Sequence, residues 1–583
     1  MALWCAPGAH AAEGDLDPGF GSGGTLIAPI GSSSDEAHAV AIDSQGRIVA
    51  AGQSSNGSAL NDFSLARFEP NGGLDPGFGT GGKVLTTFGP TTDDLGRAIG
   101  IDSLGRIVVA GSSNSGSNND FAVVRYDPGG TVDGSFHGIG TATTPIGAGD
   151  DSARGLAIDS QNRIVVAGSS DNGSNNDFAV VRYDANGNLD ASFNGTGKVT
   201  TPIGGDSDVA TAVAIDSQGR IVVVGRTFNG TKDDFAVARY TASGALDTTF
   251  NGTGKVTTSF SAGGFDEANA VTIDSQGRIV VAGQSFNGTN DDFAVARYTP
   301  SGALDSTFNG TGKVTTPIVN GDDDAEGVAI DPQGRIVAAG FVFGTSADFG
   351  LARYNPDGSL DTTFNGTGKV TTSLTAGNDR GRAVAIDAQE RIVVAGDTGN
   401  DFALARYIGD QTPPTVTISG GPPDGGFTND SAPAFDFTSS ESGSSFACGF
   451  DSVAPSGCSS PFTVGTALVD GRHSVSITGT DRAGNTSAPA TRAFTVDTRN
   501  PKLTIKGKKR VRAKGRRARA RFKLKADEPV ALACKVDRKK PKRCGSKFRT
   551  PRLRRGAHKL KVTATDRAGN KTSKTKRLRV VEG

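Results

Sequence analysis

The chain of 583 residues holds one Met, one Trp and five His, and no apolar run approaches the length of a membrane-spanning helix. The histidines, His10, His38, His137, His473 and His558, share no common spacing. No Gly-x-Ser-x-Gly elbow, no His-Glu-x-x-His pair and no phosphate-binding glycine loop occurs. The usual motif evidence for a serine hydrolase, a zinc peptidase or a nucleotide-dependent enzyme is therefore missing. No catalytic residue, cofactor or metal ligand is singled out, and an enzyme is not expected.

Glycine, by contrast, is abundant at 82 residues. It clusters with Asn, Asp, Ser and Thr between short apolar runs. That composition describes many short strands joined by tight turns. The formal net charge is zero, yet residues 499–583 carry 33 Lys+Arg against 5 Asp+Glu, so an acidic body bears a strongly basic end. At the other end, Ala9-His10-Ala11 fits a small-x-small cleavage site without the charged and apolar regions that precede one. Residues 1–14 therefore read as the remnant of an export signal behind a misplaced start codon, or as a plain disordered terminus.

Internal repetition dominates the chain. An Ile-Asp step recurs at Asp43, Asp102, Asp159, Asp216, Asp274, Asp331 and Asp387, with intervals of 56 to 59 residues. Asp-Phe recurs in phase at Phe63, Phe121, Phe178, Phe235, Phe293, Phe349 and Phe402, and Arg-Tyr or Arg-Phe at Arg67, Arg125, Arg182, Arg239, Arg297, Arg353 and Arg406. One unit reads as Ala270–Asp274, a tight turn with Gly277, Ile279–Gly283, a polar loop, Phe293–Tyr298, and a weaker fourth strand from Lys313. Four antiparallel strands per unit, the most apolar ones first, describe a propeller blade. The chain begins with a rim strand, Thr25 to Ile30, and the array ends on three inner strands. The first fragment is thus expected to complete the last blade and close a seven-bladed ring over 15–408, leaving no open sheet edge. A solenoid would want atypical capping repeats, and none is visible.

The pattern Leu-Asp-x-x-Phe, Gly-x-Val, Ala-Val-Ala-Ile-Asp-x-x-Gly-Arg-Ile-Val-Val-Ala-Gly, Asp-Phe-Ala-Val-Ala-Arg-Tyr resembles the bacterial delta-sixty repeat over roughly residues 16–407. The resemblance implies a propeller in exported bacterial proteins and no particular activity.

Residues 409–414 read as a linker. Behind them, 415–498 and 499–583 align with each other. Cys448 and Cys458 are ten apart, as are Cys534 and Cys544, and Asp481-Arg-Ala-Gly-Asn485 returns as Asp566-Arg-Ala-Gly-Asn570. Short alternating strands over such a length suggest two β-sandwiches. The combination resembles bacterial immunoglobulin-like modules. Equal duplicated spacing implies a disulfide in each and an oxidising compartment. A metal site is the alternative, disfavoured by the absence of Cys-x-x-Cys spacing.

Two sets of residues are candidates for binding. Asp35, Asp94, Asp151, Asp208, Asp266, Asp323 and Asp379 each lie eight residues before an Ile-Asp aspartate. They either line one mouth of the channel, where they could hold a cation, or cap the backbone of their own loops, the reading preferred here. The repeated arginines are expected to pair with repeated aspartates and pack blade on blade. In the basic module, Lys508, Lys509, Arg510, Arg512, Arg516, Arg517, Arg519 and Arg521 would form a cationic stripe along a strand.

The expected chain is an extracellular or surface-bound bacterial binding protein, monomeric and without a transmembrane segment. Its partner would be an anionic envelope polymer or a protein. Docking of the basic module on the acidic ring is a second possibility and nucleic acid a third. The rival class is a propeller hydrolase or lyase acting on extracellular glycans.

Overall fold

The computed structural model describes residues 12–55, 60–114, 116, 118–261 and 263–583. The Ala9-His10-Ala11 site lies outside them. Every regular element among the described residues is a β-strand, so no helix long and apolar enough to cross a membrane is present there. The chain divides into two units, Met1–Gln411 and Thr412–Gly583.

The first unit contains seven four-stranded antiparallel sheets. In the fifth, Asp266–Ile273, Ile279–Phe286, Asp291–Tyr298 and Lys313–Thr316 follow one another in sequence and in space. The Ile-Asp marker is the anchor of the first turn. Asp274 accepts the N–H groups of Gln276 and Arg278 at 2.9 Å each, and the Arg278 Nε–H at 2.6 Å. Gly277 occupies the left-handed region, with φ 76°. The second and third strands are buried on both faces because blades stack on either side. Val280, Val281, Ala294 and Val295 are all fully buried.

The first strand of every blade carries a β-bulge. In blade five the pairing slips between Ala268 and Ala270, leaving Asn269 unpaired. The same slip recurs in the other six. It brings the backbone so close that a Cβ on Gly283 would lie 1.9 Å from the Glu267 carbonyl oxygen. The glycine ending the second-strand motif is a steric requirement of the bulge.

Closure is as the repeat order implies. Thr25–Ala28 pairs antiparallel with Phe402–Tyr407, Thr25 opposite Ala405 and Ala28 opposite Phe402. Ala37 and Ile48 of the first blade share a core with Val393, Phe402 and Leu404 of the last. Each repeated arginine is a latch between blades. Its Nε–H donates to an aspartate at 2.7 to 2.9 Å, as Arg297 does to Asp305. Its guanidinium covers a Phe ring at 4.4 to 4.9 Å, and Nη1 donates to a carbonyl about sixty residues on in the interior repeats, such as Pro356 O for Arg297. For Arg406 the partners come from the chain's other end: Asp17, Phe20 and Pro70 O.

The ring reaches further at both ends than 15–408. Gly14 N–H donates to Ile408 O at 2.9 Å, Glu13 pairs with Arg353, and Gly409 O accepts from Arg353. Glu13 and Gly14, read with the N-terminal end, and Gly409, read as the start of a linker, are therefore bound to the ring. The latch arginine of blade six draws on both segments because the repeat after it is the last.

The second unit holds two β-sandwiches of matching topology. Each has a five-stranded sheet whose long central strand, Gly471–Thr480 or Gly556–Thr565, pairs with the strand bearing the first cysteine. The disulfides Cys448–Cys458 and Cys534–Cys544 staple that strand to its neighbour, with Cα atoms 5.8 Å apart in both.

Candidate functional site

The seven aspartates of the candidate ring are fully buried. Each is turned into the loop before its own strand. Asp323 accepts the Ile318 N–H at 2.6 Å and the Val319 N–H at 3.1 Å. Asp35, Asp94, Asp151, Asp208, Asp266 and Asp379 cap their loops in the same way. They do not line the channel mouth, because loop N–H groups with no sheet partner claim the carboxylates first. Burial raises several of these acids, Asp323 to about 6.

The bulge residues line the channel instead. His38, Arg97, Arg154, Thr211, Asn269, Glu326 and Arg382, one from each blade, enclose a cavity of about 190 Å³ on the axis. Sequence reading missed them, although a signal existed. Each stands three residues after a buried aspartate, between two residues that are always Ala or Gly.

The ring is electrically divided. Blades seven, one, two and three contribute Arg382, His38, Arg97 and Arg154. Arg382 pairs with Asp397 at 2.7 Å and reaches Glu36 at 3.6 Å. Arg97 contacts His38 at 3.0 Å, and Arg154 has no hydrogen-bond or carboxylate partner among the described residues. Blades four to six contribute Thr211, Asn269 and Glu326, with Asp324 and Glu267 behind them. Asn269 donates to Asp324 at 2.8 Å. Burial raises Asp324 and Glu326; neighbouring acids add to the rise of Asp324, whereas Arg382, Arg154 and Arg97 oppose that of Glu326 from across the cavity.

His38 is held neutral. Burial, then Arg97 and Arg382, push it down to about 4 against the opposing pull of Glu36 at 3.3 Å. One proton cannot serve both contacts of Nε2. Nε2–H donating to Glu36 leaves Nδ1 to accept from Arg97 at 3.3 Å. Because the folded value lies below the ordinary one, the folded state loses stability as the pH falls from about 6.5 toward about 4, while the unfolded chain takes up the proton first. The expected loss over that window is on the order of 3 kcal/mol. Denaturant titrations of the wild type and of His38→Gln check it. The variant should show a flatter pH dependence there, and parallel curves would contradict the assignment.

The cationic run of the last module is dispersed, not a single stripe. Arg510 and Arg512 lie on Arg510–Ala513, Arg517 on a two-residue strand, and Arg521 on Arg521–Ala526, in three different sheets. Irregular backbone at 508–509 and bends at 514–516 break the strand that a stripe would need. Lys508, Lys509, Arg516 and Arg519 fall outside the strands. The cations converge on the sheet of Leu503–Gly507, Arg521–Ala526 and Lys547–Arg549. There Lys506, Lys523 and Lys547 stand in one row across the strands, and Arg521 and Arg549 in the next. Strand spacing sets neighbours in a row ~4.8 Å apart at the backbone, with the rows ~7 Å apart. A groove of about 760 Å³ beside them is also lined by Lys508 and Arg519, while the rings of Phe522 and Phe548 on the opposite face of the sheet pack into the core. None of these cations has a carboxylate within ion-pair distance among the described residues.

His473 and His558, in the second unit, are structural. Each pairs with an aspartate, Asp451 or Asp537, at 2.8 Å and holds a carbonyl four residues before it, Val469 O or Arg554 O, through the other nitrogen. In the second unit, oxygens of Asp497, Glu528 and Asp566 lie within 4.8 Å of one another, a grouping that could hold a cation. The Asn-Gly-Thr triplets that begin at Asn194, Asn251, Asn309 and Asn365 are turns, their asparagines at φ 49° to 51°.

No characterised protein matches the chain in sequence. Among solved structures, it resembles the extracellular domain assigned to a hybrid two-component system of B. thetaiotaomicron, at 13% identity and TM-score 0.35, over 95% of this chain and 58% of that one. The chain thus spans little more than half the length of that structure. An ulvan lyase of a polysaccharide lyase family matches at 12% identity and TM-score 0.39, over 66% of this chain and 96% of that one. Fibronectin(III)-like modules of a Clostridium thermocellum protein match at 17% identity and TM-score 0.23, over 29% and 95%. Family models are more direct. A bacterial Ig-like domain matches residues 415–498, and a β-propeller domain of unknown function, DUF5122, matches six times, at 44–78, 105–136, 161–193, 217–250, 275–308 and 332–364. The ring is built of DUF5122 β-propeller repeats, and a bacterial Ig-like domain follows it.

Proposed function

We propose that this chain is an extracellular, non-catalytic binding protein, in which the cationic sheet of the last module holds an anionic polymer of the cell envelope and the propeller is the ligand-bearing scaffold. One observation carries the reading. Lys506, Lys523, Lys547, Arg521 and Arg549 share one exposed sheet face, and among the described residues no carboxylate lies within ion-pair distance of them. Cations collected this way repel one another and are relieved by a multivalent anion. The two disulfides fit an oxidising compartment.

Binding of the full chain to immobilised teichoic acid and polygalacturonate, measured across a salt series, tests this. Affinity should fall steeply as ionic strength rises. Combined Lys506→Glu, Lys523→Glu and Lys547→Glu should weaken it at least tenfold. Combined Lys559→Glu, Lys561→Glu and Arg577→Glu, an equal change of charge on the other sheet, should weaken it much less. Equal losses in the two variants, or binding indifferent to salt, would refute the sheet as the site.

A further inference from the structure

We propose that the axial channel of the propeller is a binding site for a small hydroxylated carboxylate. This goes beyond the polymer-binding reading and does not depend on it, since the channel shares no residue with the basic module.

The first ground is where the repeat stops repeating. The blades copy their turn aspartates, latch arginines and bulge glycines. At the bulge itself they place Arg, His, Thr, Asn or Glu, side chains of different chemistry, always between two small residues. The bulge turns that one side chain to the axis. The Ala and Gly on either side keep the axis open. A ring that served packing alone would be filled by apolar side chains. This one keeps about 190 Å³ open, room for several waters or a small ligand.

The second ground is how the polar groups are sorted. Arg97 and Arg154 come from adjacent blades and project into the cavity with no carboxylate partner among the described residues. Arg382 beside them is already committed to Asp397. Guanidinium forks are suited to a carboxylate, which they bind with paired N–H donors. Across the axis the available atoms are acceptors. Thr211 has given its hydroxyl proton to Ala268 O at 2.6 Å, which leaves its oxygen lone pairs. Asn269 spends its amide N–H groups on Asp324 and Ala325 O, which leaves Oδ1. Glu326 offers a carboxylate. Two of these three acceptors are neutral, which suits hydroxyl donors better than an ammonium. The ligand that satisfies both sides carries an anionic end and several O–H groups.

Calorimetry on the full chain with D-galacturonate, D-galactose and sulfate tests the assignment. Galacturonate should bind and raise the melting temperature, galactose should not bind, and sulfate should bind at least tenfold more weakly because it has no donors for the far side. Arg154→Gln removes an exposed side chain that holds nothing else in place, so the fold should persist. It should weaken galacturonate binding at least tenfold, and Asn269→Leu should do the same without affecting sulfate. The Lys506/Lys523/Lys547 variant should bind galacturonate like the wild type, which keeps the two proposals separable. Failure of galacturonate to bind, an unchanged affinity in Arg154→Gln, or equal affinity for sulfate would each overturn the site.

Discussion

A chain that begins at Pro29 is expected to lose the cooperative melting of the ring and to associate with itself. Removing the preceding residues deletes the strand Thr25–Ala28 and exposes the backbone of Phe402–Tyr407, whose N–H and C=O groups it had paired. It also deletes Asp17, which holds Arg406 through Nε at 2.9 Å and Nη2 at 2.8 Å, and Phe20, which that guanidinium covers at 4.5 Å. Arg406 is only 2% exposed, so it would be left as a buried, uncompensated cation. Leaving one member of a buried pair alone costs about 3–5 kcal/mol, before the unpaired edge is considered. A fall in melting temperature of about 4–6 °C follows from this alone for a unit of this size. The open edge adds a template for pairing with another chain. Scanning calorimetry and light scattering on the shortened chain provide the check. A monomer that melts like the full chain would mean that the first strand does not latch the ring.

The second large effect is expected at an interior latch. Arg297→Met should destabilise the ring by about 3–5 kcal/mol, because Asp305 stays behind as a buried carboxylate and Pro356 O loses its donor. Met supplies similar bulk against Phe308, so the loss is electrostatic and not a cavity. The double variant Arg297→Met, Asp305→Leu should recover part of it, since no lone charge remains. A double-mutant cycle by urea unfolding should give a coupling of about 1–3 kcal/mol. Additive losses would show that the pair is not coupled. The same latches explain an acid limit. Despite burial, hydrogen bonds from neighbouring Ser or Thr groups and the arginine hold Asp133, Asp190, Asp247, Asp305 and Asp361 below the ordinary carboxylate value. That stability is present above the unfolded value of about 3.9 and disappears as the pH falls through the folded values.

Much of this architecture is legible in the order of residues along the chain. Asp274 caps a turn two to four residues away, so its role is written in a short window. The same holds for the ten-residue Cys spacing, because adjacent antiparallel strands bring such pairs together. The preferred reading of Asp323 and its six equivalents, as caps of their own loops, is accessible for the same reason.

The binding sites are not legible to the same degree. His38 and Arg154 lie more than a hundred residues apart, and only closure of the ring places them on one axis. Lys506, Lys523 and Lys547 come from three strands whose register is settled by the core beneath them, not by the run of cations. From the sequence alone came the strand content, the seven-fold count, the turn chemistry and the two disulfides, all governed by interactions among near neighbours in the chain. The tertiary structure alone decided which side chains face the axis and which cations share a face. Those depend on bulges and strand registers, set by how distant segments bury their apolar faces against one another.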